Sequence, residues 1–93
     1  MAVVVLRGCM VVPQTDLPAV EAELETHIRL TRNEPGCRVF EVRRDETRAN
    51  CFNVYEEFTD RAAFEQHQAR VRSSRWAQVT AGAQRHYDIE GIS

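Results

Sequence analysis

The sequence predicts an α+β fold of the ferredoxin-like kind: β-α-β-β-α-β, a four-stranded antiparallel sheet with helices on one face, dimerising through the other. Three observations predict it. Apolar spacing alternates between the two-residue and helical periods in that order. The two middle strands are joined by one polar turn. The first strand is apolar on both faces, which is more surface than two helices can cover.

Val3 to Leu6 and Cys9 to Val12 form one long β-branched strand, interrupted by Arg7 and by Gly8, where a bulge or close backbone approach is expected. Pro13 ends it. Asp16 is the expected N-cap of the first helix, with Pro18 in its first turn. There Leu17, Val20, Leu24, Ile28 and Thr31 recur at helical spacing, Glu21, Glu23, Glu25 and Arg29 lie outward, and His27 falls beside the stripe as a boundary residue. Glu34-Pro35-Gly36 stops that helix. Cys37 to Arg43 alternates as a strand, Arg38, Phe40 and Val42 facing one way and Cys37, Val39 and Glu41 the other.

After the polar turn Arg44 to Asn50, the strand Phe52 to Phe58 sets Phe52, Val54, Glu56 and Phe58 against Asn53, Tyr55 and Glu57. The hairpin register puts Cys51 near Arg44 and Cys37 near Phe58, so those two thiols cannot bond to each other. Thr59 or Asp60 caps a second helix with Ala63, Phe64, His67 and Val71 inward. Arg72-Ser73-Ser74 breaks it, Arg75 to Ala81 forms a short helix with Trp76 and Val79, and Gly82 ends that. Gln84 to Glu90 is the last strand, Tyr87 and Ile89 sharing a face. His86 and Tyr87 alternate, so at most one of them faces the interior.

With 93 residues the chain reads as a single domain over 1–93, free of repeats or linkers. Its formal net charge is −2, so no basic field draws in nucleic acid. All 12 basic residues are Arg, which suits bidentate anion binding but equally follows from a codon bias toward GC-rich DNA. The three cysteines form no C-x-x-C pair and are expected as buried thiols in a reducing cytoplasm, with neither a disulfide framework nor a metal site. The apolar amino terminus carries Arg7 and is too short to span a bilayer, so it reads as a strand and not as a signal or membrane segment. Val39, Tyr55 and Cys37 extend the apolar surface away from Phe40, Val54 and Phe58. A homodimer follows.

The passage from Glu34-Pro35-Gly36-Cys37 through Phe52-x-x-Tyr55-Glu56-x-Phe58-x-Asp60-x-x-Ala63-Phe64-x-x-His67 resembles the antibiotic biosynthesis monooxygenase family. Ser74-Arg75-Trp76 resembles that family's short post-helix segment. The similarity covers nearly the whole chain and is strongest from Glu34 to His67. It implies a dimeric ferredoxin-like fold, the dimeric α+β barrel, with a pocket between sheet and helices. Relatives include oxygenases of quinols and polycyclic phenols that use no metal or flavin, proteins that bind and degrade haem, and others with no demonstrated activity. The fold alone does not fix the chemistry.

His67 is the polar residue that helical spacing puts on the apolar side of the second helix. An imidazole there could accept a phenolic proton near neutral pH. The resulting anion could give an electron directly to O₂, and a dry pocket would protect it. The competing reading is a structural histidine bonded to a carbonyl or to Glu56. Phe64 and Trp76 are candidate walls for a flat substrate, or simply core. Tyr55 and Asn53 are candidate substrate contacts, or interface residues. Arg7 is expected to pair with Glu41 or Glu57 across the interface, or with an anionic substrate. In haem-degrading relatives an Asn on the first strand assists the axial His and a Trp. The first strand here has no Asn.

The leading expectation is therefore an oxidoreductase, a monooxygenase without cofactor acting on a small aromatic or quinol-type molecule and O₂, with His67 catalytic. A haem-binding or haem-degrading protein, and a non-catalytic dimeric binding module, are the alternatives.

Overall fold

The computed structural model describes residues 2–91, and the strands and helices follow the expected order. Strand β1 (Val4–Val11) leads through a 3₁₀ turn (Gln14–Asp16) into helix α1 (Leu17–Arg32). Strands β2 (Cys37–Arg44) and β3 (Cys51–Phe58) form the hairpin, followed by α2 (Arg61–Arg72), the short α3 (Arg75–Val79) and β4 (Gln84–Glu90). The sheet order is β2-β3-β1-β4, every neighbouring pair antiparallel. This is the split β-α-β arrangement, and it leaves β2 and β4 as edges.

Alternation decides what each strand buries. From β1 and the residue after it, Val4, Leu6, Met10 and Val12 point inward, and from β3 Phe52, Val54, Glu56 and Phe58 do so. Two apolar clusters result. One joins Val4, Leu6, Val54, Phe58 and Phe64, and the other joins Met10, Val12, Val20, Phe52 and Trp76. Gly8 stands on the inner face of β1 opposite Tyr87, whose ring packs against both clusters. Tyr87 is thus the inward member of the pair and His86 faces out. Gly8 has φ +155°, and a Cβ there would lie 2.0 Å from the His86 carbonyl oxygen. The close approach expected at Gly8 is present, and the pairing runs through it without a register shift.

Three local expectations need correction. Asp16 does not cap α1 with its side chain, because the 3₁₀ turn feeds straight into the helix and gives Asp16 a helical backbone of φ −92°, ψ −10°. His27 is no boundary residue: only 5 % of it is exposed. The register of β2 shifts between Cys37 and Val39, so Cys37 packs inward against the Val4–Phe64 cluster and leaves the outer face. Within the chain Arg7 is exposed, with Glu90 at 3.9 Å and its guanidinium 5.8 Å from the Tyr55 ring centroid.

Edge strand β2 is blunted from the helix layer. Arg32, in the last turn of α1, donates through Nε and Nη2 to the Phe40 carbonyl at 3.0 and 2.9 Å. This occupies an acceptor that another strand could otherwise pair with.

Candidate functional site

The site grows from two helix ends. Asp60 accepts a hydrogen bond from the Ala63 amide at 2.8 Å, capping α2 and fixing its phase. Phe64 and His67, three residues apart, then both face the sheet and are buried. Glu34 lies just beyond the end of α1 and reaches across to α2. Its Oε1 is 2.7 Å from His67 Nδ1, and its Oε2 accepts from Arg70 Nε. Arg70 also donates to Thr31 Oγ1 at 3.0 Å, which ties the carboxylate's own partner back to α1.

A carboxylate can only accept, so the His67 proton resides on Nδ1 and Nε2 carries the lone pair. Nε2 looks toward Glu56 Oε1 at 3.8 Å, beyond hydrogen-bond range. Around the imidazole stand Phe58, Phe40 and His27, with ring centroids at 4.9, 5.8 and 6.3 Å. Burial lowers the His67 pKa, against the pull of the Glu34 charge and hydrogen bond. The ring is a neutral, oriented base in an apolar setting.

Two further buried groups complete the cluster. Burial, followed by the Glu34 charge, pushes the Glu56 carboxyl up to about 7, and its Oε1 has no hydrogen-bond partner. Burial, then the charges of His67 and Arg70, lowers His27 to about 3. His27 is therefore a neutral aromatic ring, stacked 4.4 Å from Trp76 at an interplanar angle of 5°. Its Nδ1 is also unpartnered. Two carboxyl groups thus flank His67 in different environments, one ion-paired with Arg70 and one near half-protonation at neutral pH.

The sequence candidates fall into two separate groups. His67, Phe64 and Trp76 share the interior, although Phe64 lies edge-on to Phe58 in one cluster and Trp76 belongs to the other. Tyr55, Asn53 and Arg7 are on the outer face of the sheet and do not meet His67. Tyr55 donates its hydroxyl to Glu57, and Asn53 donates to Asp45 at 3.1 Å.

Four open hollows lie on the surface of the described residues, and none of these four is lined by His67, Phe64 or Trp76. One of about 490 Å³ lies against Asn53, Tyr55 and the β2–β3 turn. A second, of about 380 Å³, opens at the seam of α1 and β2 against Arg32 and Phe40. Phe40 both borders this second hollow and packs against His67.

Sequence reasoning missed Glu34, His27 and Arg70. Glu34 read as a helix stop and as the start of the family-like motif, and nothing in its spacing says that it turns back onto the next helix. Glu56 was legible: alternation put a carboxyl among Phe52, Val54 and Phe58, where an unpaired charge is expensive.

The Nδ1 bond to Glu34 is compatible with axial ligation of a haem, but Nε2, the nitrogen that would ligate, faces packed rings and Glu56, so the site as it stands does not fit that group. Among the described residues, no group of His, Cys, Asp or Glu is arranged to hold a metal ion, and no helix is long and apolar enough to cross a membrane.

A family model described as antibiotic biosynthesis monooxygenase matches residues 3–79. No curated protein matches the chain in sequence. Among solved structures, a protein of Nitrosomonas europaea provisionally named an antibiotic biosynthesis monooxygenase superposes with a TM-score of 0.82 at 18 % identity. That alignment covers 96 % of this chain and 88 % of the other. A structure named antibiotic biosynthesis monooxygenase gives 0.77 at 20 % identity over 95 % and 93 % of the two chains. The Pseudomonas aeruginosa protein PA3566 gives 0.74 at 25 % identity over 97 % and 91 %.

Proposed function

The chain belongs to the antibiotic biosynthesis monooxygenase family, and on that premise we propose that it oxygenates a small, electron-rich aromatic or quinol-type molecule without a cofactor. The observation that supports this reading is the Glu34–His67 pair. Glu34, held by Arg70, fixes Nδ1–H and leaves Nε2 as an oriented base among aromatic rings. A base held by a third group is how acid–base sites are pre-set.

His67 takes the acidic proton of the substrate. The anion then passes electrons to O₂, which needs no metal when the donor is this electron-rich. For an activated methylene between two aromatic rings, four electrons leave the carbon. One oxygen atom stays as the new carbonyl and the other departs as water with the two methylene protons. Phe64 and Trp76 act as apolar walls, and entry is from the α1–β2 seam by rotation of Phe40. Tyr55, Asn53 and Arg7 serve the homodimer on the outer face, with substrate contact there as a lesser role. Three unbridged thiols suit a reducing cytoplasm.

Oxygen uptake with an anthrone and with a naphthoquinol as probes tests the proposal. Wild type is expected to consume O₂ above the uncatalysed rate. His67→Ala should lower kcat by roughly 10²-fold or more, and Glu34→Gln should lower it less. Equal uptake by wild type and His67→Ala would sink the idea.

A second reading rests on the packing around His67, where Phe40 and Phe58 close against the ring. It makes the chain a non-catalytic dimeric module that binds a small molecule. Probe binding with no oxygen uptake would favour it.

A further inference from the structure

Glu56 is the one carboxyl in the core among the described residues, and the proton transfer given to His67 leaves it without a role. It stands on the inner face of β3, with Leu6 of β1 opposite on one side and Phe40 of β2 on the other. Its Oε1 has no hydrogen-bond partner and lies 3.8 Å from His67 Nε2, the nitrogen that holds the lone pair. A buried acceptor without a partner weakens a fold and needs a reason. Packing supplies none, since an apolar side chain of that size would fill the place without the penalty.

Directly opposed residues of an antiparallel pair project to the same face. Phe40 therefore stands beside the Glu56 carboxyl as well as against the His67 ring, 5.8 Å away between centroids. A molecule that enters by displacing Phe40 meets Oε1 and Nε2 together. The titratable groups around the carboxyl are His67 on α2, Glu34 ahead of β2, Cys37 on β2 and Tyr87 on β4, with His27 of α1 beyond His67. The cation of this cluster, Arg70, is bonded to Glu34.

We propose that Glu56 is the acid of the site and touches the substrate beside His67: its carboxylic acid protonates the peroxide formed when O₂ adds to the substrate carbon. The assignment rests on the oxygenase reading. His67 Nε2 takes the first methylene proton, and the carbanion and O₂ combine in two one-electron steps to a carbon-bound peroxide anion. Glu56 Oε1–H protonates the outer peroxide oxygen, and the imidazolium returns its proton to the carboxylate. His67, neutral again, takes the second methylene proton as the C=O bond forms and the O–O bond breaks. The departing hydroxide receives that proton and leaves as water. Four electrons pass from carbon to O₂, both methylene protons end in water, and both side chains are restored.

Two environments set the two roles. Glu34 orients His67 as the base. Burial, followed by the Glu34 charge, holds the Glu56 carboxyl up at about 7, so its acid form is at hand at neutral pH.

The test offers anthrone in air to wild type, Glu56→Gln, Glu56→Asp and His67→Ala, and measures O₂ uptake, quinone product and hydrogen peroxide together. Wild type is expected to turn its O₂ into quinone and water, without hydrogen peroxide. In Glu56→Gln, which keeps the shape of the side chain, the unprotonated peroxide falls back to a carbon radical and superoxide. Quinone per O₂ should then drop several-fold, while hydrogen peroxide and coupled anthrone dimer rise. Glu56→Asp should recover part of the yield, and His67→Ala should slow uptake without changing that ratio. The wild-type yield should fall as pH rises through about 7, and that of Glu56→Gln should not vary there. Without substrate, wild type should show an infrared carboxylic-acid band at neutral pH that Glu56→Gln lacks. A wild-type yield from Glu56→Gln, or the same band in both proteins, would overturn the assignment and leave the oxygenase reading standing. Wild type consuming no O₂ above the uncatalysed rate would overturn both.

Discussion

At the scale of single residues, the buried titratable groups set opposite pH dependences. Glu56 titrates near 4.5 in an unfolded chain and near 7 in the fold. Between those values the unfolded chain releases a proton that the native protein keeps. Glu56 therefore weakens the fold as pH rises from 4.5 to 7, and costs nothing below that window. His27 works in the other direction. Its reference value is 6.5 and its folded value about 3, so the unfolded chain gains a proton that the native ring refuses. His27 thus removes stability as pH falls from 6.5 toward 3, and His67, also lowered by burial, acts in the same sense. At about 1.4 kcal/mol per pKa unit, Glu56→Gln should gain up to about 3 kcal/mol on wild type between about pH 5 and pH 8. His27→Phe, which retains a ring to stack on Trp76, should lose less stability than wild type below pH 6.5. Urea unfolding midpoints across that range check both. Curves parallel to wild type would mean that neither group titrates differently in the two states.

At the scale of elements, Gly8 is the position where one methyl group should do most harm. A Cβ would fall 2.0 Å from the His86 carbonyl oxygen, a backbone atom of β4, and φ +155° is poorly tolerated with any side chain. Gly8→Ala should cost about 3 kcal/mol or more by urea unfolding. It should also raise hydrogen exchange in β4 above that in β2, since β4 is the strand displaced. Gly8 as a close approach was readable because a glycine in a β-branched run has few other uses. Element order and most strand phases were readable for a similar reason: a strand such as β3 keeps one two-residue pattern, as in Phe52, Val54, Glu56 and Phe58. What the sequence did not disclose depends on backbone detail or on contacts between elements. The shift at Cys37 breaks the alternation of β2 without any glycine or proline inside the strand to mark it. The 3₁₀ turn before α1 takes the cap away from Asp16. The Glu34–His67 bond joins residues 33 apart, one in the α1–β2 connection and one on α2, and no local period encodes it. Half of the candidate site was therefore visible, namely His67 and the carboxyl of Glu56, and the half that orients it was not.

At the scale of the whole molecule, the two faces of the sheet are unequally served. Helices cover the inner face, while the outer face presents Val5, Cys9, Val11, Val39 and Tyr55, all only partly buried. Among them lie charges of both signs: Arg7 with Glu90, Arg38 with Glu57 and Arg43 with Glu41. A surface carrying both signs beside apolar groups can complement itself about a two-fold axis, as an isologous interface requires. A standard interface would remove about 800 Å² per protomer from an accessible surface of 5747 Å². A domain of this length gains much from such burial, because its own core is small. The expected outcome is a dimer by sedimentation whose thermal midpoint rises with protein concentration. Val5→Asp and Tyr55→Asp, both on the outer face and outside the core clusters, should yield monomers. Their circular dichroism should match wild type at low temperature, which separates a lost interface from a lost fold. Wild type sedimenting as a monomer at the same concentration would remove the role given to the outer face, and would leave the Glu34–His67 pair to be judged within one chain.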